Sequence, residues 1–97
     1  MYAVIFKATL KQADDEYVQT ATRMRELARR QYGCVEFIAL LEGDQEIAVS
    51  YWQNQQDIQA WKQDPEHLRA QALGKTRWYQ SYQVQVVEIL REYHKVS

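Results

Sequence analysis

VSYWQNQQDIQAWKQDPEHLRAQALGKTRWYQSYQVQV, running from Val49 to Val86, decides the fold. Its two ends are rich in β-branched and aromatic residues, while its middle has helical spacing. Asn54 is a helix cap, and Ile58 and Trp61, three residues apart, share one stripe of the short helix it starts. Asp64-Pro65 stops that helix and begins another, with Asp as N-cap, Pro in the first position and Glu66 in the first turn. The second helix carries His67, Leu68, Ala70, Gln71 and Leu73, and Gly74 reads as its end. From Tyr79 the run YQSYQVQVVEILREY reads as one long strand. Tyr82, Val84 and Val86 alternate in it with Gln83 and Gln85, and Val87 and Ile89 give its other face apolar groups.

Working back from this stretch, CVEFIALLEG and EIAVSYW flank Gly43-Asp44-Gln45, which makes a hairpin. Upstream, Asp14 or Asp15 caps a helix reaching about Tyr32, where Gly33 follows as a C′ residue. Tyr17, Ala21, Met24, Leu27 and Ala28 form its apolar stripe. Arg23, Arg25, Arg29 and Arg30, interleaved with Glu26, read as its solvated face. Residues 2–10, YAVIFKATL, form a first strand that is apolar on both faces. The order is β-α-β-β-α-α-β, the ferredoxin-like split βαβ arrangement of the α+β class, with a four-stranded antiparallel sheet. Residues 1–97 make one domain. Helices cover only one face of such a sheet, so apolar residues on the other predict a homodimer joined through sheet faces, a dimeric α+β barrel.

The bulk numbers exclude several classes. Hydrophobic residues at 46% and charged residues at 26% are ordinary for a globular chain. A net charge of −1 with dispersed Lys and Arg gives no nucleic-acid footprint. The start MYAVIF runs directly into Lys7, so neither a signal peptide nor a membrane span is expected. The single cysteine, Cys34, suits a reducing cytoplasm and excludes a cysteine-cluster zinc site. Two separated histidines supply no metal-ligand set, and three isolated glycines form no phosphate loop. No metal and no organic cofactor is therefore expected. Ser50 has no His-Asp partner at a suggestive spacing.

The chemistry-bearing residues concentrate between Trp61 and Tyr82. His67 sits in the first turn of its helix, where the positive end of the helix dipole disfavours an imidazolium; it reads either as a neutral base or hydrogen-bond partner in a pocket or as a surface or packing histidine. Trp61 offers either core packing or a flat cavity wall. Trp78 and Tyr79 open the last strand, either as a staple between helix and strand or as pocket lining. Tyr51 and Trp52 point to opposite faces of their strand, so at most one of them reaches a given pocket.

Ser50-Tyr51-Trp52, Ala60-Trp61, His67-Leu68-x-Ala70-Gln71, Gly74 and Trp78-Tyr79-x-x-Tyr82 together resemble the antibiotic biosynthesis monooxygenase family, in its branch of small single-domain bacterial proteins. The resemblance covers nearly the whole chain. It implies cofactor-independent oxygenation of a small electron-rich aromatic, a quinol or an anthrone, by O₂. In the anthrone oxygenases of this family an Asn, a Trp and a Tyr line the cavity, and these correspond here to Asp57, Trp61 and His67. A haem-degrading branch keeps a histidine where Gln71 stands and an asparagine near Phe6 or Lys7, so the likeness to that branch fails at both places. The resulting expectation is His67 as the catalytic residue, with Trp61, Tyr51, Trp78, Tyr82 and Asp57 around the substrate. The alternative is a non-enzymatic dimeric module whose pocket binds an apolar ligand or collapses.

Overall fold

A computed structural model describes residues 1–96. Its elements are β1 (Tyr2–Leu10), α1 (Asp15–Gln31), β2 (Glu36–Glu42), β3 (Gln45–Trp52), α2 (Gln55–Lys62), α3 (Pro65–Leu73), a π-helical turn (Gly74–Trp78) and β4 (Tyr79–Glu88). The strands lie in the order β2-β3-β1-β4, with every neighbouring pair antiparallel. This is the α+β ferredoxin-like fold that the sequence pattern predicts. No helix among the described residues is long and apolar enough to cross a membrane.

Local chemistry sets the boundaries. The Asp14 carboxylate accepts from the Tyr17 amide and starts α1, and Asn54 does the same for α2 through the Asp57 amide. Asp64 accepts from the Glu66 and His67 amides, with Pro65 opening α3. The β2–β3 hairpin turns on Gly43-Asp44. A positive φ of 60° at Gly43 alone suits a turn whose first central residue is glycine.

One boundary agrees with expectation and one is corrected. Gly74 follows the last residue of α3, with a right-handed φ of −59°, and the chain runs on into the π-helical turn. Glycine is needed there because a Cβ would sit 2.7 Å from the Tyr79 ring. The last strand stops at Glu88 and does not extend to Tyr93. By then β1, its only hydrogen-bonding neighbour, has run out at Tyr2, which pairs with Glu88.

The register divides the sheet into two faces. Tyr2, Val4, Phe6 and Ala8 of β1 share the inner, helix-covered face with Trp52, Ser50, Ala48 and Glu46 of β3. Val84 and Val86 of β4 join them through their pairing with Phe6 and Val4. The outer face carries Ile5, Ile38, Leu40, Ile47, Val49, Tyr51 and Val87, with Leu40 70% exposed. Two packed clusters hold the helices down. The larger contains Met24, Leu27, Ala28, Cys34, Trp52, Ile58 and Trp61, and the smaller contains Leu10, Tyr17 and Trp78.

Candidate functional site

Between these clusters the inner face is lined by small side chains. Ala39, Ala48 and Ser50 on the strands face Ala21 on α1 and Ala70 on α3. Large aromatics at both ends and small residues in the middle leave a cavity of about 420 Å³, within the range of small-molecule sites. On its β4 side, Tyr82 and Val84 are partly exposed.

One end is built from α2 and α3. Trp61 packs on Trp52 at 5.6 Å between ring centroids, edge-on to Phe37 at 6.2 Å. The His67 imidazole stacks on Trp61 at 3.9 Å and 22°. Its Nδ1 lies 3.0 Å from the Trp61 carbonyl oxygen. A carbonyl can only accept, so Nδ1 carries the hydrogen and the neutral ring presents a lone pair at Nε2. Burial pushes the His67 pKa below its ordinary value, against the opposing pull of that carbonyl and of Asp64. The local acids are engaged elsewhere: Tyr32 donates to Asp64 at 2.6 Å, and Arg23 forms a two-pronged pair with Glu66.

The other end is a buried carboxylate between two phenols. Tyr17 Oη donates to Glu46 Oε1 at 2.5 Å, and Tyr79 Oη donates to the same oxygen at 3.3 Å. Both tyrosine pKa values are pushed well above 10, first by burial and then by the neighbouring Glu46, so both phenols remain protonated donors. A β-bulge creates this arrangement. Where β1 advances from Thr9 to Leu10, its partner steps from Ser81 to Tyr79. Tyr79 and Tyr82 are three apart, yet both line the cavity and pack on Phe6, at 5.2 and 5.9 Å. The end is anchored from outside the cavity by Asp14, which accepts from Trp78 Nε1 at 3.2 Å and from Arg77 at 2.7 Å.

Of the residues expected around a substrate, His67, Trp61, Trp78 and Tyr82 come together in the cavity lining. Tyr51 and Asp57 do not. Tyr51 belongs to the outer face, opposite Ala3 and Glu36, because Trp52 takes the inward position of that pair. Asp57 lies on the side of α2 turned towards Gly33, where a Cβ would stand 3.1 Å from its Oδ2. Arg25 is a further correction. It does not lie on the solvated face of α1 but lines the cavity, with its guanidinium 5.9 Å from the centre of the Phe37 ring.

Glu46, Tyr17 and Arg25 add polar groups to the lining; the sequence pattern places Tyr17 only in the apolar stripe of α1 and Arg25 only on its solvated face, and gives Glu46 no role. One signal was available: Glu46 shares its strand parity with Ala48, Ser50 and Trp52, so a carboxylate falls on an apolar inward row. Among the described residues no group of three or more His, Cys, Asp or Glu side chains is placed to hold a metal.

A two-ended aromatic cavity under two short helices on a split βαβ sheet defines a small α+β protein of ferredoxin-like fold. The chain belongs to the antibiotic biosynthesis monooxygenase family, whose pattern matches residues 1–73. It is 38% identical over 92 residues to the uncharacterized protein YqjZ of Bacillus subtilis (strain 168), covering 94% of this chain and 81% of that one. Its fold is similar to that of SnoaB, a cofactor-independent oxygenase from Streptomyces nogalater. The TM-score is 0.82 at 13% identity, over 97% of each chain. Rv0793 from Mycobacterium tuberculosis is also similar, with a TM-score of 0.77 at 19% identity over 96% of this chain and 98% of that one. At these identities the structural likeness speaks for the fold alone.

Proposed function

We propose that this protein is a monooxygenase that oxidises a small electron-rich aromatic, of quinol or anthrone type, with O₂ and without a cofactor. The observation that carries the reading is His67, a neutral imidazole stacked on the cavity wall with its hydrogen on Nδ1. Family membership and the likeness to SnoaB give it context. Nε2 takes a proton from the substrate and leaves an electron-rich anion. That anion passes one electron to O₂, and the two radicals join as a carbon–oxygen bond. The hydroperoxide then loses water as its carbon gives up a proton, so the O–O bond breaks and a carbonyl remains. For an anthrone the balance is one CH₂ plus O₂ giving one C=O plus H₂O, with all four electrons from the substrate. Trp61, Trp78 and Tyr82 hold the ring, and the walls limit water around the anion.

The test is oxygen uptake over a panel of quinols and anthrones. His67→Ala should cut turnover about a hundredfold or more if His67 is the base. Full turnover in that variant would remove His67 from the mechanism, and an inert wild-type protein across the panel would favour the ligand-binding module instead.

The same reading includes a homodimer through the outer sheet face, supported by Ile38, Leu40 and Ile47, which are 45%, 70% and 47% exposed. Val87 belongs to that face and Val86 to the inner one. Val87→Glu should therefore weaken association in sedimentation, and a wild-type protein that sediments as a monomer at micromolar concentration would end the dimer reading. The buried free thiol of Cys34 fits a cytoplasmic protein.

A further inference from the structure

Glu46 is the one carboxylate in the cavity lining, and it is only 8% exposed. Its two oxygens are used unequally. Oε1 accepts from both phenols, Tyr17 at 2.5 Å and Tyr79 at 3.3 Å. Oε2 accepts from no group among the described residues. Nor is it sealed in the protein: among the described residues that are not exposed, the polar side-chain atoms lacking both a partner and accessible surface are Arg25 Nε and Trp61 Nε1. Glu46 stands on the inner face of β3 and lines the cavity, so the surface that Oε2 keeps opens there. Water can serve this oxygen while the cavity is empty. A ligand that displaces the water must bring a donor of its own or leave a buried charge unmet.

The surroundings narrow the donor. Phe6, Tyr17, Trp78, Tyr79 and Tyr82 form a connected set of rings at this end, which suits a donor on the rim of a flat ring. Two cations, Arg25 and Lys62, line the same cavity against the single carboxylate, so a cationic ligand is disfavoured overall. An anionic group beside Glu46 is repelled by it. A neutral hydroxyl satisfies both constraints.

From this we infer that Glu46 is a specificity-determining residue, whose Oε2 accepts a hydrogen bond from an aromatic hydroxyl of the substrate remote from the position that His67 deprotonates. Such a site rejects the analogue without the hydroxyl, because the carboxylate is then left unpaired. The inference deepens the oxygenase reading and rests on it for which end of the substrate reacts, but binding without O₂ can decide it.

The probes are 2-naphthol and its methyl ether 2-methoxynaphthalene, titrated anaerobically at neutral pH. The wild-type protein should bind the naphthol roughly tenfold or more tighter, the size of one hydrogen bond to a charged acceptor. Glu46→Gln identifies the acceptor. Its amide oxygen is claimed by the two phenols, which turns the amide N–H group to the cavity and replaces an acceptor by a donor. The preference for naphthol should therefore vanish or reverse. A hydroxyl bound at His67 instead keeps its preference in Glu46→Gln, and that result would overturn the inference, as would equal affinities in the wild type. 2-(Aminomethyl)naphthalene, a cation at this pH, should bind more weakly than naphthol; tighter binding makes this an organic-cation site and also overturns it. If Glu46→Gln does not fold, wild-type NMR decides. The ring protons flanking the naphthol hydroxyl should show Overhauser contacts to Phe6 and Tyr79, and contacts to Trp61 and His67 in their place would end the inference. A naphthol preference at Glu46 in a protein inert to quinols would sink the oxygenase reading alone. Turnover of quinols without that preference would sink this inference alone.

Discussion

The two ends of the cavity are both aromatic and both polar, but they are made differently. The Trp61–His67 end is assembled from residues close together in the chain, with Trp52, Trp61 and His67 meeting through the α2–α3 turn. The Glu46 end gathers Tyr17, Glu46, Trp78 and Tyr79 from four separate elements. At the first end the polar groups are left free: a histidine lone pair, an indole N–H and a guanidinium. At the second they are tied to one another. Of the free groups, the His67 ring is the one that titrates, with its pKa lowered by burial, and the tied groups give rigidity. On this difference we propose that chemistry belongs to the α2–α3 end and positioning to the other.

Truncating the large aromatic at each end is the harshest test of the comparison. Trp61 is 7% and Trp78 2% exposed, so either change to Ala should cost about 3–5 kcal/mol in denaturant unfolding. The two should separate in function. Trp61→Ala removes the surface on which His67 stacks, so the surviving folded protein should lose both ligand binding and turnover. Trp78→Ala leaves that stack in place and should retain measurable turnover. If both variants lose activity equally at matched folded fraction, the division of labour between the ends fails.

The same contrast explains what the sequence revealed. Helix caps are local, so Asp14, Asn54 and Asp64 could be read from spacing, and with them where His67 sits on its helix. Strand alternation is local too, and it separated Tyr51 from Trp52 without saying which pointed inward. The far end depends on facts that no window contains. Tyr79 reaches the cavity through a bulge set by β1 pairing, and Tyr17 finds Glu46 across 29 positions. Arg25 misled because a long cationic side chain on a helix ordinarily faces water. Only the packing of α1 over Phe37 shows that its Nε is buried.

A smaller effect probes whether the far end is rigid because its polar groups satisfy one another. Glu46→Ala strands two largely buried phenols, each without its acceptor, and should cost about 1–3 kcal/mol. Glu46→Gln retains an acceptor oxygen of nearly the same shape and should cost less. The difference in denaturation midpoint between the two variants measures the hydrogen bonding apart from the charge. If Glu46→Ala is as stable as wild type, the phenols have found other partners, and the far end is not a fixed support.

The gentlest test is pH, and it bears on the other end. Burial lowers the His67 pKa below its ordinary 6.5, so the folded state disfavours the imidazolium. The sign follows from linkage: the unfolded chain takes up the proton first as pH falls. The stability associated with a neutral His67 is then complete above about pH 6.5 and declines as pH falls through that value towards the folded pKa. Activity should behave in parallel, because the base at Nε2 survives below pH 6.5. The acid limb of kcat/KM for a quinol that does not ionise in this range should have its midpoint below 6.5. The tied phenols have no titration to contribute there, since burial and Glu46 hold both pKa values far above the range. Tyr79→Phe should therefore leave the acid limb where it is, while His67→Gln should abolish it in any residual activity. A limb that moves with Tyr79→Phe and persists in His67→Gln would place the titrating group at the wrong end of the cavity.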